Sequence, residues 1–164
     1  MDTLIKLDAE QLRRAMRAWS SGVTVVTVNH QGERHGMTVS SFTSVSLDPP
    51  LIIISLQTES RTQKLVSAAG AFAVTILGAD QKEISDRFAG RGSENEDRFD
   101  GIPTETFVTG APILKGLASL DCRVTQTFFA GMNTVFLAEV LAVRGDGEGQ
   151  PLLYHDRQYW QLSK

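Results

Sequence analysis

Hydroxyl-bearing side chains crowd one stretch of this chain, Gly36-Met37-Thr38-Val39-Ser40-Ser41-Phe42-Thr43-Ser44-Val45-Ser46-Leu47-Asp48-Pro49-Pro50. Ser and Thr interleave with Met, Val, Phe and Leu until a double proline ends the run. A period-two pattern of this kind predicts a strand with one apolar face and one face lined by hydroxyls. Such a face can hydrogen-bond a planar ring rich in oxygen and nitrogen without bringing net charge to it. A flavin-type cofactor has that character. The rest of the chain offers little independent chemistry. His30, His35 and His155 are scattered, and no H-E-x-x-H, G-x-S-x-G, P-loop or G-x-G-x-x-G pattern occurs. We expect no metal site and assign no catalytic side chain; a chain of this kind leaves the reaction to its cofactor.

The elements that must position this stretch can be read from periodicity. A helix opens at Asp8, with Gln11 at capping-box spacing and Leu7 placed to staple Leu12. Leu12, Ala15, Met16 and Trp19 form its apolar stripe, and Gly22 is its expected terminator. Arg13, Arg14 and Arg17 lie off that stripe and read as a solvated face. Val23 to Val28 is β-branched and predicts a strand. A turn at Asn29-His30-Gln31-Gly32 returns the chain through a second strand from Glu33 to Ser41. Leu51 to Leu56 is a short buried strand, and Ser60 with Gln63 caps a helix running to about Ala69. Phe72 to Leu77 is a strand; Asp80 with Glu83 caps a helix to about Phe88. Gly90 to Gly101 is a polar loop. Leu117 to Phe129 and Met132 to Val143 are long strands, and Leu152 to Tyr154 with Tyr159-Trp160 close the chain. Many hairpin-connected strands with a few short peripheral helices predict a mainly β fold, a closed antiparallel barrel, in one domain spanning 1–164.

Composition narrows the classes. Charged residues make up 21% and the net charge is −3, with no basic stripe of the kind nucleic acid requires. No apolar run approaches a membrane span, and the N-terminus has no secretory pattern. The single cysteine, Cys122, sits in a strand as a packing residue. A reducing cytoplasm is the expected setting.

The long Ser/Thr stretch resembles the signature of the short-chain flavin reductases, the reductase components of two-component flavin-dependent monooxygenases. The likeness extends to Met16–Thr27, to Asp86-Arg87-Phe88-Ala89-Gly90, and to Pro151-Leu152-Leu153-Tyr154-His155-Asp156-Arg157-Gln158-Tyr159-Trp160. It implies a split-barrel, FMN-binding Greek-key fold and a homodimer with flavin near the interface. It also implies hydride transfer from NADH or NADPH to FMN or FAD, with reduced flavin passed to a partner monooxygenase. On matched positions, Met37, Thr38, Val39, Ser40 and Ser41 would line the isoalloxazine and ribityl groups. Ser55, Leu56 and Gln57 would lie against the ring, and Phe88, Ala89 and Arg91 would close over it. Ser60, Arg61 and Thr62 would hold the phosphate; free N–H groups at a helix start favour anions independently of any likeness, although Ser60 could equally serve only as a cap. His155 and Tyr159 would sit near the nicotinamide. Many members carry Gly-Asp-His where this chain has Gly131-Met132-Asn133, so Asn133 would take the nicotinamide contact without a titratable proton. Two further readings stay open: a non-enzymatic flavin-binding electron carrier and a related split-barrel flavoprotein oxidase. A β-barrel interaction module that binds no flavin is the fourth.

Overall fold

The computed structural model describes residues 7–92 and 96–163. The expectation for the extreme N-terminus, and that for residues 93–95 of the polar loop, lie outside this range. The chain order is α1 (Ala9–Met16), β1 (Ser21–Gly22), β2 (Thr24–His30), β3 (Glu33–Val39), β4 (Thr43–Leu47), β5 (Pro50–Gln57) and α2 (Arg61–Ala69), followed by β6 (Ala71–Ile76), α3 (Lys82–Phe88), β7 (Ala118–Ala130), β8 (Asn133–Arg144), β9 (Leu153–His155) and β10 (Gln158–Trp160). Seven strands form an antiparallel sheet in the order β3-β2-β6-β7-β8-β5-β4, and β1, β9 and β10 form a small second sheet. No described helix is long and apolar enough to cross a membrane.

The mainly β character matches the expectation, but the barrel does not close. The end strands β3 and β4 are not hydrogen-bonded to each other, so both sheets are open. The local reason is chemical. Beyond Val39 the chain leaves β3, and the Ser41 hydroxyl donates to the Ser55 carbonyl at 2.6 Å and accepts from the Ser55 amide at 3.2 Å. A side chain thus takes the place of a backbone ladder at this point, and β4 then pairs only with β5.

β2 explains most of the packing. Its residues from Thr24 to Val28 are buried on both faces, which is why its run is continuously β-branched instead of alternating. Val26 and Val28 join Ile54, Leu56, Phe72, Val74, Cys122 and Phe136 under α2. On the other face Val25 joins Val23, Leu77, Phe88, Phe99, Leu114 and Leu152 under α3. The hydroxyls caught in this strand are satisfied: Thr24 donates to the Val39 carbonyl and Thr27 to that of Pro112. Cys122 is a packing residue, and burial with Asp121 beside it pushes its thiol up to about 12.

Three local expectations are corrected. The first helix ends at Met16, not near Gly22, which is instead drawn into β1 opposite Leu153. Its apolar stripe does not reach the core: Leu12, Met16 and Trp19 are 52%, 53% and 70% exposed, and Leu7 is exposed too. Asp80 does not cap α3. Gln81 holds the N-cap position and uses its side chain to tie Gly78 to the Lys115 carbonyl. The Asp8–Gln11 capping box and the Ser60 cap form as expected, although the Gln63 amide oxygen reaches the amide of Glu59.

One contact fixes α3 against the sheet. A Cβ at position 36 would come within 2.9 Å of two Phe88 ring carbons and 3.0 Å of the Val26 carbonyl. We expect Gly36→Ala to lower unfolding stability by about 1–3 kcal/mol, the usual cost of overpacking. Urea denaturation against the unsubstituted protein checks this, and an unchanged midpoint would contradict the contact.

Candidate functional site

Three groups of polar side chains gather around the β3–β4 crossover. The first surrounds a cavity of about 170 Å³ between β3, the C-terminal end of α3 and the small sheet. Thr38, Val39, Ser40, Ala89, Arg91, Tyr154 and Tyr159 line it. A hydrogen-bonded chain runs along its wall. The Thr38 hydroxyl donates to the Ser85 carbonyl at 2.6 Å, and the Ser85 hydroxyl lies 2.8 Å from the Tyr159 phenol. That phenol donates to Asp86 Oδ1 at 2.8 Å, and the same oxygen receives the Arg91 guanidinium at 2.8 Å. Burial, with the nearby Asp86 charge adding to it, raises the Tyr159 pKa, so the phenol stays a neutral donor. The wall mixes hydroxyls with the apolar side chains of Val23, Val39 and Ala89, and its one guanidinium is ion-paired with Asp86.

The second group lies at the other side of the crossover. Ser41 grips Ser55, and the Asn133 side-chain amide donates to the Ser55 hydroxyl at 3.1 Å. The register of β5 on β8, with Gln57 opposite Asn133 and Ser55 opposite Val135, brings these residues to one end of the sheet. Ser55 and Gln57 share a face of β5, whereas Leu56 points into the core and is buried.

The third group is the N-terminus of α2. Ser60 caps it, accepting from the Gln63 amide at 3.3 Å. Beside it opens a larger cavity of about 510 Å³, lined by Glu33, Arg34, His35, Arg61, Arg98 and Phe99 among others. Arg61 is held through two nitrogens by Glu33 at 2.8 and 2.9 Å. Thr62 is buried, and its hydroxyl lies 2.8 Å from His35 Nδ1. His35 is lowered to about 4 by burial first, then by the positive charges of Arg98 and Arg61, with Glu33 opposing them. The imidazole is therefore neutral chiefly because it is buried, and the corner sets Arg34, Arg61 and Arg98 among Glu33, Glu96 and Asp97.

The expected site residues therefore divide. Thr38, Val39, Ser40, Ala89, Arg91 and Tyr159 meet in one cavity, and Ser41, Ser55 and Asn133 form one string. Arg61 lines a separate, larger hollow. Met37, Leu56 and Phe88 send their side chains into the core, which leaves them backbone contacts only. His155 does not line the Thr38 cavity: its ring lies 2.9 Å from the Ser20 hydroxyl and packs edge-on to Trp160. Sequence reasoning gave no site role to Ser85 or Arg98, nor to Asp86 and Tyr154 although both fall within the family motifs. Arg98 donates to the Gly36 and Phe88 carbonyls at 2.8 and 3.0 Å and so ties the polar loop to the site. Asp86 had one readable signal, an Arg five residues on; the role of Ser85 depends on a partner 74 positions away and had none.

Residues 16–163 match the model of the flavin reductase like domain. The chain is 35% identical over 154 residues to an FMN reductase (NADH), RutF, of Ancylobacter novellus, covering 93% of this chain and 84% of that protein. It is 32% identical over 154 residues to the reductase component of a 4-nitrophenol 4-monooxygenase/4-nitrocatechol 2-monooxygenase of Rhodococcus opacus, covering 94% and 81%. Among solved structures it is similar to the NADH:FAD oxidoreductase SgcE6 of Streptomyces globisporus in complex with NAD and FAD fragments. There the TM-score is 0.86 and the identity 33%, over 95% of this chain and 93% of that one.

His35 yields a pH prediction. It binds a proton near pH 6.5 when unfolded and only near about 4 when folded. The unfolded chain therefore holds more protons between these values, and stability rises with pH across that window. His35→Gln removes this term. The difference in unfolding free energy between the two proteins is expected to change from about pH 4 to 6.5 and to be flat above it. Urea titrations across that range check it; parallel curves would show that His35 is not shifted.

Proposed function

Because the chain belongs to the flavin reductase like domain family, we propose that it is an NADH-dependent flavin reductase acting as one domain. It transfers a hydride from NADH to FMN or FAD and supplies reduced flavin to a monooxygenase. The observation that carries this reading is the family match together with the neutral, hydroxyl-lined cavity formed at Thr38, Val39 and Ser40 beside Tyr159.

The residues present fit a flavin. Its ring needs neutral hydrogen-bond partners along one edge, which Thr38, Ser40 and the crossover backbone offer. Its tail needs an anion site, which the start of α2 offers through free N–H groups and Arg61. Ser60 and Arg61 hold the phosphate in this reading; Thr62 contributes its backbone, since its hydroxyl faces His35. A bound flavin supplies a ring nitrogen that accepts the hydride from C4 of the reduced nicotinamide, the accompanying proton coming from solvent. The protein's part is to hold the two rings in contact and keep water out. Asp86 fixes Arg91 and Tyr159 at the cavity rim, and Ser41, Ser55 and Asn133 steady the opposite edge. Asn133 carries no titratable proton, so nothing in this arrangement requires an acid from that position.

We also infer a homodimer. Val45, Leu47, Phe128, Phe129 and Met132 are exposed on β4 and at the tip of the β7–β8 hairpin, with Leu47 at 89% and Phe129 at 81%. These are two exposed apolar groups, one at each end of β5, and monomers seldom leave so many large apolar side chains in water. A cytoplasmic setting, where NADH and a single reduced thiol belong, completes the reading.

Purified protein is expected to oxidise NADH when FMN or FAD is added; turnover no faster than in buffer would remove the function. Arg61→Ala should weaken FMN by about 1 kcal/mol, roughly fivefold, the value of one exposed ionic contact. Riboflavin, which lacks the phosphate, should be unaffected, and equal losses would deny Arg61 that role. In sedimentation the protein should run at twice its 17.9 kDa chain mass, and Phe129→Lys should shift it toward the monomer.

A further inference from the structure

A second cavity adjoins the Thr38 cavity and is not needed for the flavin. It holds about 220 Å³ between α1 and the β9–β10 turn, and Arg13, Met16, Arg17, Trp19, Tyr154, Asp156 and Arg157 line it, three guanidiniums against one carboxylate. Tyr154 lines both cavities and so joins them. Three independent features point to an anionic ligand with an aromatic part.

Charge is the first. Among the described residues, Glu10 is the one acid paired with Arg13, Arg14 and Arg17, at 3.4, 3.7 and 3.9 Å, and Arg157 makes no ion pair. A donor without an acceptor is the second: Arg17 Nε is buried and has no hydrogen-bond partner among the described residues. Backbone strain is the third. His155 pairs with Gln158 across a two-residue turn, and both turn residues are left-handed, Asp156 at φ 46° and Arg157 at φ 64°. That turn favours Gly at its second position, yet an arginine stands there over the cavity. Trp19, 70% exposed on the same wall, supplies a flat face for stacking.

We propose that Arg13, Arg17 and Arg157 grip the diphosphate of the nicotinamide dinucleotide and that Trp19 stacks on its adenine. This rests on the reductase reading, with the nicotinamide near Tyr159, which lines the Thr38 cavity together with Tyr154. The shared chemistry is an adenosine diphosphate moiety, which NADH and FAD both carry; Tyr154, common to this cavity and to the one that holds Tyr159, assigns it to NADH.

Arg157→Gly tests this without threatening the fold, because Asp-Gly suits the turn better than Asp-Arg does. The measurement compares NADH with reduced nicotinamide mononucleotide, which lacks the adenylate half, using FMN as acceptor. The ratio of the NADH to the mononucleotide KM is expected to rise about fivefold or more, as for loss of a charge-assisted contact. The thermal midpoint should hold or increase. ADP should compete with NADH in the unsubstituted protein, and more weakly in Arg157→Gly and in Arg17→Gln. An unchanged KM ratio would overturn the proposal, and so would an effect confined to the KM for FAD. Failure of the reductase reading is distinct: the unsubstituted protein would then oxidise neither donor with any flavin.

Discussion

The ring of Phe88 occupies the space where any side chain on residue 36 would be. This single steric allowance lets α3 press onto β3, and the site follows from it. Phe88 is fully buried and meets Phe99 edge-on with centroids 5.1 Å apart. With that anchor in place, Ser85 and Asp86 on the same helix reach β3 and β10, and Ala89 and Arg91 just beyond it reach the cavity. Arg98 then donates to carbonyls on both sides of the contact, Gly36 on the strand and Phe88 on the helix. The cavity is therefore held by packing beneath it and by directional bonds around it.

Charge is distributed with equal economy. The ring end offers hydroxyls, backbone and a guanidinium already matched by Asp86. The α2 corner offers the free N–H groups of a helix start and Arg61, beside a His35 kept neutral chiefly by burial. The arginines near the β9–β10 turn form a second positive region beyond Tyr154. A molecule with a neutral heteroaromatic body and an anionic tail is complementary to either direction away from the centre. Two such molecules, one toward each positive region, would meet face to face at the middle.

Much of this was legible in the sequence because local chemistry dictates it. The Ser60 cap, the Asp8–Gln11 box and the β-branched run of β2 depend on neighbours within a few residues, and each formed where spacing placed it. The failures share the opposite property. Closing or opening the barrel depends on what the Ser41 hydroxyl meets fourteen positions away. The α1 stripe has helical spacing whether it faces a core, a partner or water, and periodicity cannot tell these apart. Thr38, Ser40 and Tyr159 could be named from a family motif, but Ser85 becomes part of the site only once α3 is seated. Core-facing Met37, Leu56 and Phe88 carry no mark in the motif that separates them from their cavity-facing neighbours.

The lone thiol has a consequence for durability. Reduced flavin that escapes its acceptor reacts with dioxygen and yields peroxide, so a protein that makes it works beside its own oxidant. Peroxide attacks thiolates, and Cys122 is walled off in the core with a pKa pushed up to about 12, leaving no thiolate to attack. Wear would fall instead on the exposed thioethers of Met16, on the wall of the α1 cavity, and Met132, at the β7–β8 tip, so accumulating sulfoxide would erode contacts with other molecules and leave the Thr38 cavity untouched.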